Sequence, residues 1–407
     1  MSWGSGTSIN AFVDDWPRCH DGGVPDDVTF EAGAVTQPAT APVTGHAVGA
    51  TFTGHGSEYF RIWVVNVLLT LLTLGLYSAW AKVRKATYFR RNTWIDGHVF
   101  DYHGNPVAVL RGRLAAVVLL SAYTWAFQFS NAAGVLTVTV LCATGPWLFM
   151  RAQQFSLANT SFRGLRFGFR ARAGEAYWTV LPVLVLWFVP MVDAAFMRGE
   201  AWIYWTPTVV TIFAWPWMHH RLKAYQRRNA MYGDRGFTFT PATLRFYAVY
   251  AKGLGFVVLG GALAVTSIGV AFAWWHGSRM LLVPSRTEAW IYGALAALAF
   301  YVVAWPYYAA RLQHVVWSRT RLGEIHFRSE IKARPLLRIV LKNVGLTLLT
   351  GGVYWPWATM AMARYRIQCV HIESGVPLSA LAASVAARPV TAAGEGATDA
   401  FGFDIGL

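Results

Sequence analysis

"TWIDGHVFDY", residues 93–102, is the stretch on which the reading of the chain turns. Asp96-Gly97 is a favoured two-residue turn, because a type I′ turn needs a left-handed backbone at both central positions. Aromatic and β-branched residues flank the pair on both sides. The stretch predicts a β-hairpin. "TSFRGLRFGF" from Thr160 and "AMYGDRGFTF" from Ala230 keep a Gly near the turn and the same aromatic alternation.

Each hairpin ends a longer unit. "WAKVRKATYFRRNTWIDGHVFDY" starts at Trp80, and its counterparts start at Trp147, Trp217 and Tyr307. An aromatic is followed by Arg after four residues, Asn or Arg after twelve and Phe after twenty. The sets are Trp80, Arg84, Asn92, Phe100; Trp147, Arg151, Asn159, Phe167; Trp217, Arg221, Asn229, Phe237; and Tyr307, Arg311, Arg319, Phe327. Fixed spacings that recur four times indicate internal duplication. The aromatic marks a membrane interface and the Arg one turn later a headgroup-level cation, so these eight aromatic and Arg positions form the expected cytoplasmic interface. A lone hairpin is marginal in water. Four on one face predict either a shared cytoplasmic sheet or four separate amphipathic loops on the headgroups.

The rest of the chain is apolar. Of 407 residues, 55% are hydrophobic and 14% charged, against about 25% charged in a soluble domain. A span needs about 20 apolar residues. Eight segments qualify: 62–80, 114–130, 133–150, 176–196, 201–218, 253–275, 289–310 and 338–358. The four long links between them, 81–113, 151–175, 219–245 and 311–337, hold 24 of the 35 Lys and Arg residues. The positive-inside rule places these links in the cytoplasm. The net charge of +15 is then mostly topology, with anionic headgroups as its counter-charge. No nucleic-acid partner is expected, and no protein partner is legible. Residues 1–50 and 381–407 read as disordered tails around a repeat-built membrane domain, 51–380. The expected class is an all-α polytopic membrane protein with internal repeats and small cytoplasmic β-hairpins between helix pairs.

The two ends repeat each other. "RIWVVNVLLTLLTLGLYSAWA" from Arg61 matches "RIVLKNVGLTLLTGGVYWPWA" from Arg338 at 13 of 21 positions. Asn66, Thr70 and Thr73 match Asn343, Thr347 and Thr350. Gly75 and the Gly351-Gly352 pair sit where a segment would bend, as candidate hinges. Two arrangements stay open. Six spans plus two re-entrant segments put both termini inside; eight plain spans put both outside. Paired, Gly-broken polar segments are a pointer to a transport path. They also suit plain helix packing.

With these residues in view, "GSEYFRIWVVNVLLTLLTLGLYSAWAKVRKATYFRRNTWIDGHVFDYHG" (Gly56 to Gly104) resembles the signature of the YjgN-like family of bacterial inner-membrane proteins, a domain of unknown function. The run from Leu74 to Arg84 and the Asn92–Gly97 run are its most specific parts. The resemblance covers roughly 50–380 and is strongest in the first 60 residues of that range. The chain departs from it in its long N-terminal tail and at Ala79, where Pro is common and where Pro146, Pro216, Pro306 and Pro356 stand in the equivalent places. It implies a multi-pass protein of the bacterial inner (plasma) membrane and carries no activity.

No chemistry stands out. The histidines share no ligand spacing, so neither a metal nor another cofactor is expected. No Ser/His/Asp order, phosphate loop or carboxylate pair argues for an enzyme. Two functions fit: a transporter or channel-like permease with a path between the broken segments, or a non-transporting scaffold or sensor that docks a partner or anionic lipid through its hairpins.

Overall fold

A computed structural model of the chain describes residues 46–196, 201–256, 258, 302 and 304–374. The apolar segments 253–275 and 289–310 fall largely outside the described residues, as do both assigned tails apart from 46–50. Those five residues open strand β1 (His46–Phe52), so the structured domain starts before residue 51.

The hairpins form as the sequence predicts. They are β2 (Thr93–Ile95) with β3 (His98–Tyr102), β4 (Thr160–Phe162) with β5 (Leu165–Phe169), β6 (Ala230–Tyr232) with β7 (Arg235–Phe239), and β8 (Thr320–Leu322) with β9 (Ile325–Ser329). Asp96 and Gly97 take φ of 48° and 71°, and Arg163 and Gly164 take 50° and 77°, as a type I′ turn requires. A fifth pair has no turn. It consists of β10 (Val370–Ser374) against β1, with Val48 opposite Ile372. The five pairs join edge to edge into one closed antiparallel barrel in the order β1-β10-β9-β8-β7-β6-β5-β4-β3-β2.

This barrel overturns the all-α class. Strands of three to seven residues look like minor loops in an apolar sequence. Their edges, however, carry unpaired N–H and C=O groups that readily take another strand, and full closure leaves no edge at all. The hairpins are thus a shared sheet rather than separate loops, and the fold mixes helices with a β-barrel.

Each junction repeats one bond. The amides of Thr53, His103, Arg170, Thr240 and Glu330 donate to the carbonyls of Asn92, Asn159, Asn229, Arg319 and Cys369, at 2.8–3.0 Å. The Asn92, Asn159 and Asn229 side chains also donate to the carbonyl four residues back, at 2.8, 2.8 and 3.0 Å. That use explains why Asn recurs at this point of the repeat. Inside, Phe100 stacks on Phe162 at 4.7 Å and Phe167 lies 4.9 Å from Tyr232. Phe237 pairs with Leu322, Phe327 with Ile372 and Ala50 with Ile95. The barrel is filled by this layer and is a core rather than a pore.

Helices leave the barrel and return in pairs. Outgoing α1 (Gly56–Leu72) is followed by returning α2 (Ser78–Arg91); α3 (Pro106–Phe129) by α4 (Asn131–Ala158); α5 (Ala173–Phe196) by α6 (Ala201–Arg228). The helical stretches 243–256 and 304–317, here α7 and α8, are the described parts of the fourth pair. The last pair is α9 (Ala333–Leu349) with α10 (Trp355–Gln368). Among the described residues, α3 and α4 are long and apolar enough to cross a membrane. Val118 is 66% exposed, Phe129 83%, and Trp187 and Phe213 also face outward. In water such an apolar girdle would be unfavourable.

Two measurements test this fold. Cysteines at Ala47 and Glu373, which face each other across the β1–β10 seam, should cross-link within one chain on oxidation, in a background without the native cysteines. After proteolysis between them, the fragments should stay joined until reduced. Phe162→Ala should cost roughly 3–5 kcal/mol, read as a lower unfolding midpoint in detergent, whereas Trp94→Ala, on the outer face, should change it little.

Candidate functional site

The returning helices α2, α4, α6, α8 and α10 line an open cavity of about 1310 Å³ above the barrel, to which α1 and α3 also contribute. Each presents one stripe. On α6 it is His219, Lys223, Gln226 and Arg227; on α8 it is Ala309, Leu312, Gln313, Val316 and Trp317. Steps of three and four residues keep one helix face turned inward.

The wall is strongly cationic. Lys82, Lys85 and Arg90 come from α2, Lys223 and Arg227 from α6, Arg366 from α10 and Arg113 from α3. No Asp or Glu lines it among the described residues. Lys223 and Arg227 lie on the part of α6 beyond its apolar segment 201–218, and Arg366 lies beyond 338–358. Burial holds the Lys223 amine below its ordinary value, and Arg227 and Arg366 push it further down. Burial also takes Arg227 down to about 10 and lowers Arg366. The Arg227 guanidinium lies over the Trp317 ring at 4.3 Å. Arg366 Nε donates to Gln313 Oε1 at 2.8 Å. Neutral groups of this kind orient the cations without cancelling their charge. Like charges drawn out of water together are unfavourable until a counter-charge joins them.

The expected residues divide. Asn66 and Thr70 line the cavity. Asn66 is buried and its Oδ1 has no hydrogen-bond partner. Asn343, Thr347 and Thr350 do not line it. Asn343 Nδ2 instead donates to the Ala358 carbonyl at 3.2 Å and ties α9 to α10. Thr73 and Thr350 serve the turns: each Oγ1 donates to the carbonyl four residues back, at 2.7 and 2.8 Å, and accepts the amide of Tyr77 or Tyr354, at 2.9 and 3.0 Å. The two polar segments therefore do not face each other across one path.

The three glycines mark reversals. Gly75 and Gly352 both take φ of 93°, and Leu74 and Gly351 take 49° and 57°. The Gly75 and Gly352 amides donate to the Thr70 and Thr347 carbonyls at 2.7 and 2.8 Å. Each matched end is a short helix–turn–helix that goes out and comes back.

The repeated arginines do not ring this cavity. Arg84, Arg151, Arg221 and Arg311 are absent from its wall. At about 100° per residue, the position one turn after the interfacial aromatic lies nearly opposite the inward stripe. Arg151 and Arg221 instead lie over their own Trp147 and Trp217 rings, at 5.5 and 4.8 Å. Trp80 packs beside Ala79 and Val109, and Tyr307 beside Phe246. The cations that do line the wall sit at other offsets. Charge read against the i, i+3, i+4, i+7 stripe of each returning helix would have picked them out.

A family model described as "Bacterial protein of unknown function (DUF898)" matches residues 48–400. The "Inner membrane protein YjgN" of Salmonella typhimurium (strain LT2) is 30% identical over 138 residues, 33% of this chain and 35% of that protein. Its namesakes in Escherichia coli O157:H7 and K12 are each 33% identical over 140 residues, 33% of this chain and 34% of theirs. The match spans about a third of the length of these curated relatives. No solved structure matches.

Lys223 yields a pH test. Its folded value lies below the ordinary 10.5, so the unfolded chain binds its proton more tightly. The stability of the ligand-free protein therefore rises as pH climbs through the window between the two values. Lys223→Met should flatten that rise, measured by unfolding in detergent at stepped pH. An unchanged slope would remove Lys223 from the wall's charge balance.

Proposed function

The chain belongs to the DUF898 family of bacterial proteins of unknown function, and from that premise we propose that it is a multi-pass inner-membrane protein whose cavity is the anion-binding vestibule of a permease. The single observation that carries the anion is the cluster of Lys223, Arg227 and Arg366 on the wall, with no carboxylate lining the cavity among the described residues. The inner-membrane placement rests on the printed names of the relatives, on α3 and α4 and on the exposed apolar girdle. The multi-pass reading, with internal duplication, rests on helix pairs that leave one barrel and return to it. With the basic links at the barrel end, that end faces the cytoplasm by the positive-inside rule.

One observation favours the other class. Phe100, Phe162, Phe167 and Tyr232 form an aromatic cluster inside the barrel, which stands in the way of an axial route. A non-transporting sensor that binds an anion would have the same cavity and the same plug. No catalytic role is assigned in either reading.

Flux separates the two. The purified chain in proteoliposomes should move a small anion such as phosphate, followed by its release from loaded vesicles. Lys223→Gln and Arg227→Gln should each reduce the rate about tenfold, the effect of one lost charge-assisted contact, whereas Arg84→Gln should leave it unchanged. Anion binding without flux would establish the sensor. Neither binding nor flux would sink both.

A further inference from the structure

Building on the reading of the cavity as an anion site, we propose that its ligand is an anionic phospholipid that enters sideways from the bilayer, its phosphate held by the cations and its chains lying over the rim. Two independent features carry this, the first being charge. Lys223, Arg227 and Arg366 lie in the barrel half of the cavity, with Gln313 hydrogen-bonded among them. Phosphate oxygens suit such a cluster of strong donors.

The second feature is the height of the wall. At 1.5 Å per residue, the 28-residue α4 and α6 are about 42 Å long, whereas the 14-residue α2 and α10 are about 21 Å. The two short pairs are neighbours: Phe60 of α1 lies 4.9 Å from Trp357 of α10, and Phe52, Tyr59 and Met360 share a buried cluster. Their rims are therefore low and adjacent. Both are apolar. Leu72 is 79% exposed, Leu74 95% and Leu349 85%. At this rim Leu71 and Trp355 line the cavity, and on α2 the first cation, Lys82, follows one turn below Ser78. A soluble anion gains nothing from such an approach. An acyl chain does, at about 0.8 kcal/mol per buried CH₂.

The test uses the full chain in neutral detergent, with native mass spectrometry counting retained lipid. Phosphatidylglycerol should be retained at least about tenfold over phosphatidylcholine, and Lys223→Gln or Arg366→Gln should each lower that retention about tenfold. Arg84→Gln, which removes the same charge from the opposite helix face, should change nothing. Leu71→Asp should weaken lipid retention and leave binding of glycerol phosphate intact. If Lys223→Gln fails to fold, Lys85→Gln on the α2 wall carries the same expectation. Equal retention of the two lipids would overturn the proposal. So would glycerol phosphate that binds as tightly as the lipid with Leu71→Asp harmless, an outcome that keeps the anion site and rejects its lipid source. Loss of neither ligand in the cation variants would overturn the anion reading as well.

Discussion

Edge closure governs this molecule. The turn-linked hairpins pair three-residue strands with five-residue strands, and none has enough rungs to stand alone in water. Each becomes stable when both of its edges are taken by neighbours. Five pairs arranged in a ring satisfy that condition, with the aromatic layer of Phe100, Phe162, Phe167 and Tyr232 filling the centre. From the ring, the rest follows. Every helix that leaves must return to supply the next strand, so the helices come as pairs. The returning members, which land directly on the strands, form the inner wall.

That arrangement also sets the electrostatics. The last turns of five inner helices converge over a plugged barrel, and the side chains of their inward stripes share one volume. Cations brought there cannot spread apart without undoing the ring. Water, a bound anion or a headgroup must balance them. Trp317 beneath Arg227 and Gln313 beside Arg366 show how neutral groups hold guanidinium planes in place without discharging them. The site is thus a product of helix convergence rather than of a local motif.

The sequence made parts of this legible and hid others. Asp96-Gly97 announced a hairpin, and the spacing from Trp80 to Phe100 announced its repetition. The Phe residues at the end of that spacing do form the barrel's filling, and Gly75 and Gly351-Gly352 do turn the chain. Closure was hidden because the fifth pair has no turn of its own: strands around Phe52 and before Gly375 can each be read from the sequence, but Val48 and Ile372 are too far apart in it for their pairing to show. The arginines one turn after each aromatic were conspicuous because they recur, yet they lie off the cavity wall, two of them over their own Trp rings. Lys223 and Arg366 have no counterpart in the other units, and Arg227 has one, Arg90, ten residues after its aromatic; only the helix phase reveals that they meet. Asn66 and Asn343 match in sequence but part in role, because one faces the shared volume and the other a neighbouring helix.

The seam between β1 and β10 imposes an order on synthesis. His46 pairs with Ser374, 328 positions further along the chain. A ribosome delivers the first partner long before the second, and the intervening helices leave the translation machinery in between. β1 must wait with both edges open, while β2 can cover only one of them. Contacts of this range form slowly, because their loop entropy is lost before the contact is made. The barrel is therefore the last part of the molecule to be completed, although everything else stands on it. An interrupted chain would have its helices and hairpins but no ring, and an exposed strand edge would identify it as unfinished.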